Sequence, residues 1–544
     1  MKINSNSILH KAEQCLKNNN NIEAIKYFKM FINIAPKYHQ HLHIAHYNLG
    51  IIYLNTQNIK EAIHHLSKSI ELNKTFFQGL VTLANALVSI EHYQQALPLF
   101  EKAISLTPKP SLELLVNTAN CLMFLKKETE AIPYFKKILE LQPNNPFLLD
   151  RTAFAFFLAG EFDDALKYQL HALSLEQTAE GLFNLAEIYQ KMNRMEESIQ
   201  SFRKSLELNE TKDTHVNFSH ALLMNGDYLE GWKEHEWRRK KKGLFRTFQQ
   251  PHWNGIDNLN NKTILLYGEQ GFGDTLQFIR YIPLFQKMFP TTKILLEFNK
   301  PLIPLFQKSI NLPMYDYFNS PQNFDYHCSI MSLPHYLKTT LNNIPPIINF
   351  ELNNEKTNYW KNKLNTNKFK VALVWNGRPI TQETEEEVKS ISARRNIPLD
   401  KFTTLFDIPN VQFYSIQKGK EAEDQIKPFK NKIIDYTNEF NDFSDTASFI
   451  ENMDLVIGVD TAMIHLSGNL NKPTWMLSRY DGCWRWMTKD KFPTSSPWYK
   501  SIKIYRQSHW TLWDNEINKI KEDLEKLIST KYSLPEINRS KMST

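Results

Sequence analysis

The chain has 544 residues, of which 42% are hydrophobic, 12% aromatic and 23% charged, and its formal net charge is +7 at pH 7. This length exceeds the usual size of one domain, so we expect two or three packed units, and the composition excludes an intrinsically disordered chain. A charge excess this small over this length gives no reason to expect binding to nucleic acid or to an acidic membrane surface.

Targeting signals and metal ligands are not evident either. The start, MKINSNSILHKAEQ, has no apolar core of a signal peptide. The longest apolar runs, such as the one from Ala153, are shorter than the roughly 18 residues that span a bilayer, so we expect a cytoplasmic protein without a transmembrane segment. The cysteines are scattered without a CxxC pair, which favours neither a disulfide framework nor a zinc site. They are Cys15, Cys121, Cys328 and Cys483.

An internal repeat occupies the first 240 residues. Small residues recur in pairs that are twelve positions apart, and they are Ala12 and Ala24, Gly50 and Ala62, Ala84 and Ala96, Ala119 and Ala131, Ala153 and Ala165, Ala186 and Ser198, and Ser219 and Gly231. The first members of successive pairs are 38, 34, 35, 34, 33 and 33 residues apart. The small residues allow two antiparallel helices to approach closely, and apolar positions at helical spacing bury the shared face. The pattern predicts seven helical pairs.

Period and pattern resemble the tetratricopeptide repeat (TPR), a 34-residue helical pair. The resemblance implies a superhelix whose concave face holds a protein or peptide partner. A passive spacer or an oligomerisation arm is the alternative. Trp232 and Trp237 are placed to cap the repeats against the next domain, and the basic run from Arg239 to Lys242 is most simply a solvated linker face.

The second half changes to an α/β rhythm. Short apolar runs alternate with segments of helical length, so we expect parallel sheets in two units. The predicted strands are 263–267, 293–297, 326–330, 371–375, 411–416, 455–459 and 474–477, with a helix at 275–289. Residues 342–367 are the expected crossing between the sheets, and the charged residues 379–394 are expected to form a mobile loop near the cleft.

The first candidate site segment is the glycine-rich turn at 268–275, which follows the first strand, where open α/β sheets bind ligands. Gly271 and Gly273 allow close backbone approach to a ligand, and Asp274 lies where a helix begins. Asp274 has two readings at this point. It could be a helix N-cap, or an ionised general base near an acceptor hydroxyl.

The second segment is a strand that runs directly into a helix at Asp460, Thr461 and Ala462. The exposed amides of a helix N-terminus suit a diphosphate, and the Thr461 hydroxyl could add a donor; a plain cap is the alternative. His465, one turn further on, is more simply a core histidine, and we assign it no chemistry.

The third segment is basic and aromatic. Arg395 and Lys418 lie at or just past the carboxyl side of predicted elements, where a cation could stabilise a departing diphosphate; surface cations are the alternative. The tryptophans at 484 and 486 could simply pack on the sheet. Metal ligation has little support, since there is no HExxH, no ligand-spaced Cys/His cluster and no DxD at a strand end.

Taken together, a series of motifs resembles the bacterial TPR proteins with a heptosyltransferase-like carboxyl half, near glycosyltransferase family 9. The motifs are YGEQGFGDTLQFIRYIP, SLP at 332–334, VWNG, RNIPL, SIQKG, DFSDTASFIENMDLVIGVDTAMIHLSG, NKPTWML and WRWM. The resemblance spans essentially the whole chain. It implies an α + α/β protein, with a TPR superhelix followed by a two-lobed GT-B (double Rossmann-like) glycosyltransferase domain.

The resemblance also implies roles for residues. Asp274 matches the base of the family, Arg395 matches a residue that contacts phosphate, and the helix at 460–462 matches the one that holds the nucleotide diphosphate. This chain has RN where relatives more often show RS, and AMIHLSG where they show a more alanine-rich helix. The glycine turn differs from that of true heptosyltransferases, so the sugar does not carry over.

Our leading hypothesis is a metal-independent, inverting glycosyltransferase without a cofactor, which uses a nucleotide-diphosphate sugar and a protein acceptor presented by the repeats. Its site residues are Asp274 as base, with Gly271, Gly273, Arg395, Lys418, Asp460, Thr461 and Ala462 for the nucleotide sugar. The alternatives are an inactive TPR scaffold and a transferase for lipid-linked saccharide.

The expected domains are 1–240 for the repeats, 241–261 for a linker, and 262–350 and 368–540 for the two lobes. On this division, removal of residues 1–240 should leave nucleotide binding intact.

Overall fold

The computed structural model describes residues 5–240, 247–377 and 386–533. Its amino-terminal part consists of antiparallel helical pairs. In chain order the helices are α1 (Ser5–Lys17), α2 (Asn21–Ile34), α3 (Leu42–Asn55), α4 (Ile59–Leu72), α5 (Phe77–Val88), α6 (Tyr93–Ser105), α7 (Leu112–Phe124), α8 (Glu128–Leu141), α9 (Pro146–Ala159), α10 (Phe162–Leu175), α11 (Ala179–Lys191), α12 (Met195–Leu208), α13 (Lys212–Asn225) and α14 (Tyr228–His235). A 3-10 turn follows at Glu236–Lys240.

The small residues of the repeat lie where the two helices of a pair touch. Ala12 and Ala24 are fully buried, as are Ala84 and Ala96. At Gly50 a Cβ atom would lie 2.6 Å from Cγ of Leu66, so a larger residue there would clash with the partner helix. The close helical approach that the repeat predicts is therefore confirmed.

The chain divides into two compact units, Met1–Ile188 and Tyr189–Thr544. The division falls inside α11, so α12, α13 and α14 belong to the same unit as the sheets. The repeat period alone had placed the end of the first domain at residue 240.

Two histidines share a buried hydrogen bond in the first unit. Nδ1 of His46 on α3 lies 3.0 Å from Nδ1 of His65 on α4, and both side chains are buried. Only one of the two nitrogens can carry the shared proton, so at least one of the two rings is neutral. Burial, with the charges of His65 and His64, lowers the pKa of His46 to about 4. Burial and the charge of His64 also lower the pKa of His65.

We expect acid to loosen the pair of helices α3 and α4. The pKa of His46 is about 4 in the folded chain and 6.5 in the unfolded chain. Between these pH values the unfolded chain binds a proton that the folded chain does not. The free energy of unfolding is therefore highest above pH 6.5 and decreases as the pH falls towards 4. Hydrogen exchange of α3 and α4, corrected for the intrinsic pH dependence, should accelerate between pH 7 and pH 5, and less so in His46→Gln. His10→Gln, at an exposed site, is the control. Equal acceleration in His46→Gln and the wild type would contradict the prediction.

The second unit contains two sheets whose strands are all parallel. The first sheet comprises β1 (Thr263–Tyr267), β2 (Lys293–Phe298), β3 (Met314–Asp316) and β4 (Tyr326–Ser329). The second comprises β5 (Phe369–Val374), β6 (Val411–Ser415), β7 (Ile433–Asp435), β8 (Leu455–Val459), β9 (Thr474–Ser478) and β10 (Ile502–Arg506). The predicted parallel α/β architecture is confirmed.

The helices of this part lie between strands along the chain, except α25, which follows the last strand. They are α15 (Phe272–Phe278), α16 (Tyr281–Met288), α17 (Ile303–Phe306), α18 (Leu333–Tyr336), α19 (Asn354–Lys363), α20 (Glu386–Arg395), α21 (Thr403–Phe406), α22 (Lys420–Asp424), α23 (Phe443–Glu451), α24 (Ala462–Asn469) and α25 (Asp514–Ser533).

The order of the strands places a crevice in each sheet. The orders are β3-β2-β1-β4 and β10-β9-β8-β5-β6-β7. The direction of winding therefore reverses between β1 and β4 in the first sheet and between β5 and β8 in the second. In open parallel sheets, ligands bind beyond the carboxyl ends of the strands at such reversal points. The loops after β1 and β8 are in that position.

Some elements differ from the sequence prediction. The helix expected at 275–289 starts earlier, at Phe272, and is interrupted between α15 and α16. Strands β3, β7 and β10 were not predicted. Of the expected loop at 379–394, residues 379–385 lie outside the described part, and 386–394 are helical in α20.

The last helical pair is part of the core of the second unit. The indole of Trp232 on α14 is 1% exposed. It packs edge-on against Phe278, Trp484 and Trp498, with ring centroids 5.9, 5.5 and 6.3 Å away. The predicted capping role of Trp232 thus takes the form of aromatic packing. Its partners are Phe278 on α15, and Trp484 and Trp498 from the segment between β9 and β10.

Candidate functional site

Asp274 stabilises the turn that follows β1. Helix α15 has Gly271 as its N-cap residue, and Oδ2 of Asp274 accepts a hydrogen bond of 2.9 Å from the Gly271 amide. Asp274 is therefore the third residue of the helix and not its N-cap, which corrects the simpler of its two readings. The bond leaves its second carboxylate oxygen to other partners.

That second oxygen pairs with Arg485. Oδ1 of Asp274 accepts from Nη2 of Arg485 in an ion pair whose side chains are only 14% and 13% exposed. Burial lowers the pKa of Arg485, but the Asp274 carboxylate is the largest of several contributions that raise it, and the net shift is upward, so the guanidinium remains charged. Arg485 lies in the WRWM motif but had no predicted role, because 211 positions separate it from Asp274.

Gly273 brings the turn against helix α24. A Cβ atom at Gly273 would lie 3.0 Å from Cδ2 of His465 and 3.6 Å from Cα of Ala462. A side chain at Gly273 would press on the His465 ring, so the glycine favours close approach between the segment after β1 and the segment after β8. The structure therefore brings together Gly271, Gly273 and Asp274 with Ala462.

Thr461 occupies the N-cap position of α24 with φ of −142° and ψ of 175°, but its side chain caps no amide. Its buried hydroxyl oxygen has no hydrogen-bond partner among the described residues. The preceding residue, Asp460, uses its backbone carbonyl to accept a bond of 3.3 Å from Nη1 of Arg395. The helix start therefore has an unused hydroxyl beside a cation.

Arg395 is the last residue of α20. Nη2 donates to Oγ of Ser392 over 3.4 Å, and Nε is buried without a partner within the described ranges. A Cβ atom at Gly377 would lie 1.8 Å from Nη2, so only a glycine leaves room for the guanidinium. Burial lowers the pKa of Arg395 more strongly than the charge of Asp460 raises it. Such a partly unsatisfied buried cation is a favourable place for an anion.

Lys418 has a different environment from the other predicted residues. Its Nζ donates a bond of 2.7 Å to the carbonyl of Phe440. The side chain of the adjacent Gln417 binds the backbone just beyond β5. Its Oε1 accepts hydrogen bonds from the amides of Trp375 and Asn376 at 3.1 and 2.8 Å. Lys418 is thus near the carboxyl end of β6, but no bond joins it to Arg395 or Thr461.

A buried ionic network that the sequence did not reveal lies under the glycine turn. Nε of Arg238 donates to Glu269 over 2.6 Å, Nη1 donates to Glu236 over 2.6 Å, and Nη2 donates to Oγ of Ser332 over 2.9 Å. Burial raises the pKa of Glu269, and Arg238 only partly opposes this. In the sequence, the one sign of this network was the position of Glu269, a charged residue just after the apolar strand β1.

His465 is a structural residue, in agreement with the sequence interpretation. Its Nδ1 lies 3.0 Å from the hydroxyl of Tyr499, and its ring stacks on Trp486 at 5.1 Å. Burial, with the charges of Arg485 and Arg280, lowers its pKa well below the usual range. His465 is therefore a neutral imidazole that supports α24.

Across residues 5–240, 247–377 and 386–533, no three His, Cys, Asp or Glu side chains are grouped so that they could hold a metal ion. Over the same residues, no helix is both long enough and apolar enough to cross a bilayer.

Comparisons with known proteins identify the repeats. Tetratricopeptide repeat models match residues 43–76 and 179–212, and a second model of the same description matches 81–146. Protein FlbA of Caulobacter vibrioides is 25% identical over 333 residues, which are 55% of this chain and 52% of that protein. The chain thus spans about half the length of this relative.

Two solved structures are similar to the repeat region. One, titled "Crystal structure of YrrB: a TPR protein with an unusual peptide-binding site", is 19% identical, with a TM-score of 0.31 over 34% of this chain and 94% of that one. MamA from Desulfovibrio magneticus RS-1 is 17% identical, with a TM-score of 0.29 over 31% of this chain and 97% of that one. TPR units are present in the amino-terminal region, and repeats of this kind are typical of protein-interaction scaffolds.

Proposed function

We propose that the chain is a glycosyltransferase with a GT-B fold, which moves a sugar from a nucleotide-diphosphate sugar to a hydroxyl group of a protein held by the repeats. One observation carries the proposal. The turn with Gly273 and Asp274, after β1, abuts the start of α24, after β8. Both segments lie at the reversal points of parallel sheets, where such sheets bind ligands.

The donor diphosphate is assigned to the start of α24. The helix amides and the unused Thr461 hydroxyl supply hydrogen-bond donors, and Arg395 supplies a charge with an unused Nε. A buried guanidinium gains most from an anionic partner because little water screens it. Arg485 lies near enough to Asp460 for that carboxylate to raise its pKa, so it is a second cation at the same end of the sheet.

The reaction needs a base for the acceptor. The hydroxyl oxygen forms a bond to the anomeric carbon, the bond from that carbon to the diphosphate oxygen breaks, and the electron pair leaves with the nucleoside diphosphate. Asp274 takes the hydroxyl proton, and attack from the face opposite the leaving group inverts the anomeric centre. Cations and helix amides stabilise the negative charge on the leaving diphosphate.

One observation favours a second candidate, a TPR scaffold without transferase activity. Both carboxylate oxygens of Asp274 have partners, the Gly271 amide and Arg485. A base must come within hydrogen-bond distance of the hydroxyl that it deprotonates. Under the leading proposal, Arg485 therefore turns towards the diphosphate when donor binds. Under the scaffold reading the ion pair is permanent.

Calorimetric titration with ADP, UDP, GDP and CMP tests the donor site. We expect one nucleotide to bind. Arg395→Ala should weaken it about 10- to 100-fold, because a charged hydrogen bond is lost, and Thr461→Val should weaken it several-fold. Lys401→Ala, an exposed cation of the same lobe that pairs with Asp514, should leave binding unchanged. A folded protein that binds none of the four would favour the scaffold.

A further inference from the structure

The segment between β9 and β10 that carries Arg485 is held by helices of the repeat region. Nζ of Lys191, at the end of α11, donates a bond of 3.0 Å to Asp481 at the start of this segment. Nδ2 of Asn193 in the following turn donates to the carboxylate of Asp490 near its end. We call residues 481–490 the Arg485 segment. Its two ends are thus hydrogen-bonded to the last residue of α11 and to the turn that follows it.

The middle of the Arg485 segment rests on the last helical pair. Trp484 has the ring of His220 stacked 6.3 Å away and the ring of His235 5.5 Å away, and the Arg485 guanidinium lies 4.2 Å from the centre of the Trp484 ring. Trp484 therefore contacts side chains of α13 and α14 as well as the guanidinium of Arg485.

The backbone of the segment is strained at Met487. Its φ is 59° with ψ of −180°, a conformation that residues other than glycine seldom adopt. The Tyr228 hydroxyl on α14 donates to Sδ of Met487 over 3.5 Å. Strain of this kind persists only where the surroundings fix it, and here part of the surroundings is the last helical pair.

The 3-10 turn that follows the last helical pair contacts the glycine turn that carries Asp274. Arg238, in the 3-10 turn after α14, binds Glu269 over 2.6 Å, and Glu269 lies five residues before Asp274. Both residues of the Arg238 and Glu269 pair have side chains that are 5% exposed. Because a buried pair is costly to disrupt, it fixes the base of the glycine turn.

We propose that residues 189–240 position the Asp274 and Arg485 pair, through Arg238 on the side of Asp274 and through His235, Trp484 and Lys191 on the side of Arg485. These are positioning residues, since they act through their neighbours. What the pair does when substrate binds rests on the proposed function. The positioning itself does not, and it can be measured without any ligand.

The test is a double-mutant cycle of Asp274→Asn and Arg485→Gln in the full chain, analysed by urea unfolding. All 11 tryptophans lie after residue 188, so their fluorescence reports the unit that contains the pair. In the native background, the two changes together should shift the unfolding midpoint by less than the sum of their separate shifts. This difference is the coupling between the two side chains.

The cycle is repeated in backgrounds that alter the positioning residues. We expect the coupling to fall to less than half in Lys191→Met and in Arg238→Met combined with Glu269→Gln, a pair of changes that leaves no unpaired Glu269. Arg238→Lys should restore most of it, and Lys204→Met, an exposed change on α12, should leave it intact. A lower midpoint with unchanged coupling in both altered backgrounds would overturn the proposal. If the Arg238 variant does not fold, Lys191→Met alone decides between these results.

Discussion

A chain that begins at residue 177 is expected to fold, whereas a chain that begins at residue 247 is expected to be unfolded or aggregated. The shorter chain lacks Trp232, and loss of a buried tryptophan costs about 3–5 kcal/mol. It also lacks Arg238 and leaves Glu269 as an uncompensated buried charge, for about another 3–5 kcal/mol. Together these losses are comparable to the whole stability of a typical domain.

Size-exclusion chromatography and urea unfolding followed by tryptophan fluorescence check this expectation. The chain from residue 177 should elute as a compact species and unfold cooperatively, since it retains α11 and the complete unit Tyr189–Thr544. A soluble chain from residue 247 with a similar unfolding midpoint would show that the last helical pair is dispensable. The sequence alone had suggested a cut at 240, and the burial of Trp232 and Arg238 argues for the earlier one.

Replacement of Asp274 by Asn is expected to reduce sugar transfer about 10²- to 10⁴-fold, which is the usual contribution of a positioned general base. Asn keeps the shape of the side chain and an acceptor for the Gly271 amide, but it cannot take a proton from an acceptor hydroxyl. The measurement is release of nucleoside diphosphate from a donor sugar that carries the base identified by titration.

Two controls make the Asp274 result interpretable. Nucleotide binding should persist in Asp274→Asn, because the donor contacts are assigned to Arg395 and Thr461. Asp407→Asn, an exposed carboxylate that pairs with Lys432, should leave transfer unchanged. Undiminished transfer by Asp274→Asn would remove Asp274 as the base, and absence of transfer by the wild type with every donor would favour the scaffold.

Local patterns in the sequence were sufficient for most secondary structure. The repeat of small residues predicted the helical pairs because each pair buries its face against its immediate neighbour in the chain. Apolar runs predicted the strands of the sheet interiors. The strands β3 and β7 were missed because each has only three residues, too few for an apolar pattern. The break between α15 and α16 had a local signal that the prediction did not use: Pro283, in the first turn of α16, has no amide hydrogen to donate to the carbonyl of Ile279.

Some residues of the candidate site could likewise be predicted from local patterns, and others could not. Gly273, Asp274, Thr461 and Arg395 could be singled out because each lies next to a predicted strand or helix end, which is a local property. The roles of Arg485 and Glu269 could not, since their partners are distant in sequence. The basic residues near 239 looked like a solvated face, yet Arg238 beside them is buried in an ionic network.

The sequence by itself determined the repeats, the parallel α/β region and the strand ends at which a ligand could bind, since all three follow from periodicity and from the chemistry of adjacent residues. Only the tertiary structure decided that Asp274 meets Arg485, that Gly273 touches α24, and that the last helical pair belongs with the sheets. The physical reason is that burial and charge pairing depend on which distant segments pack together. No local pattern encodes that choice.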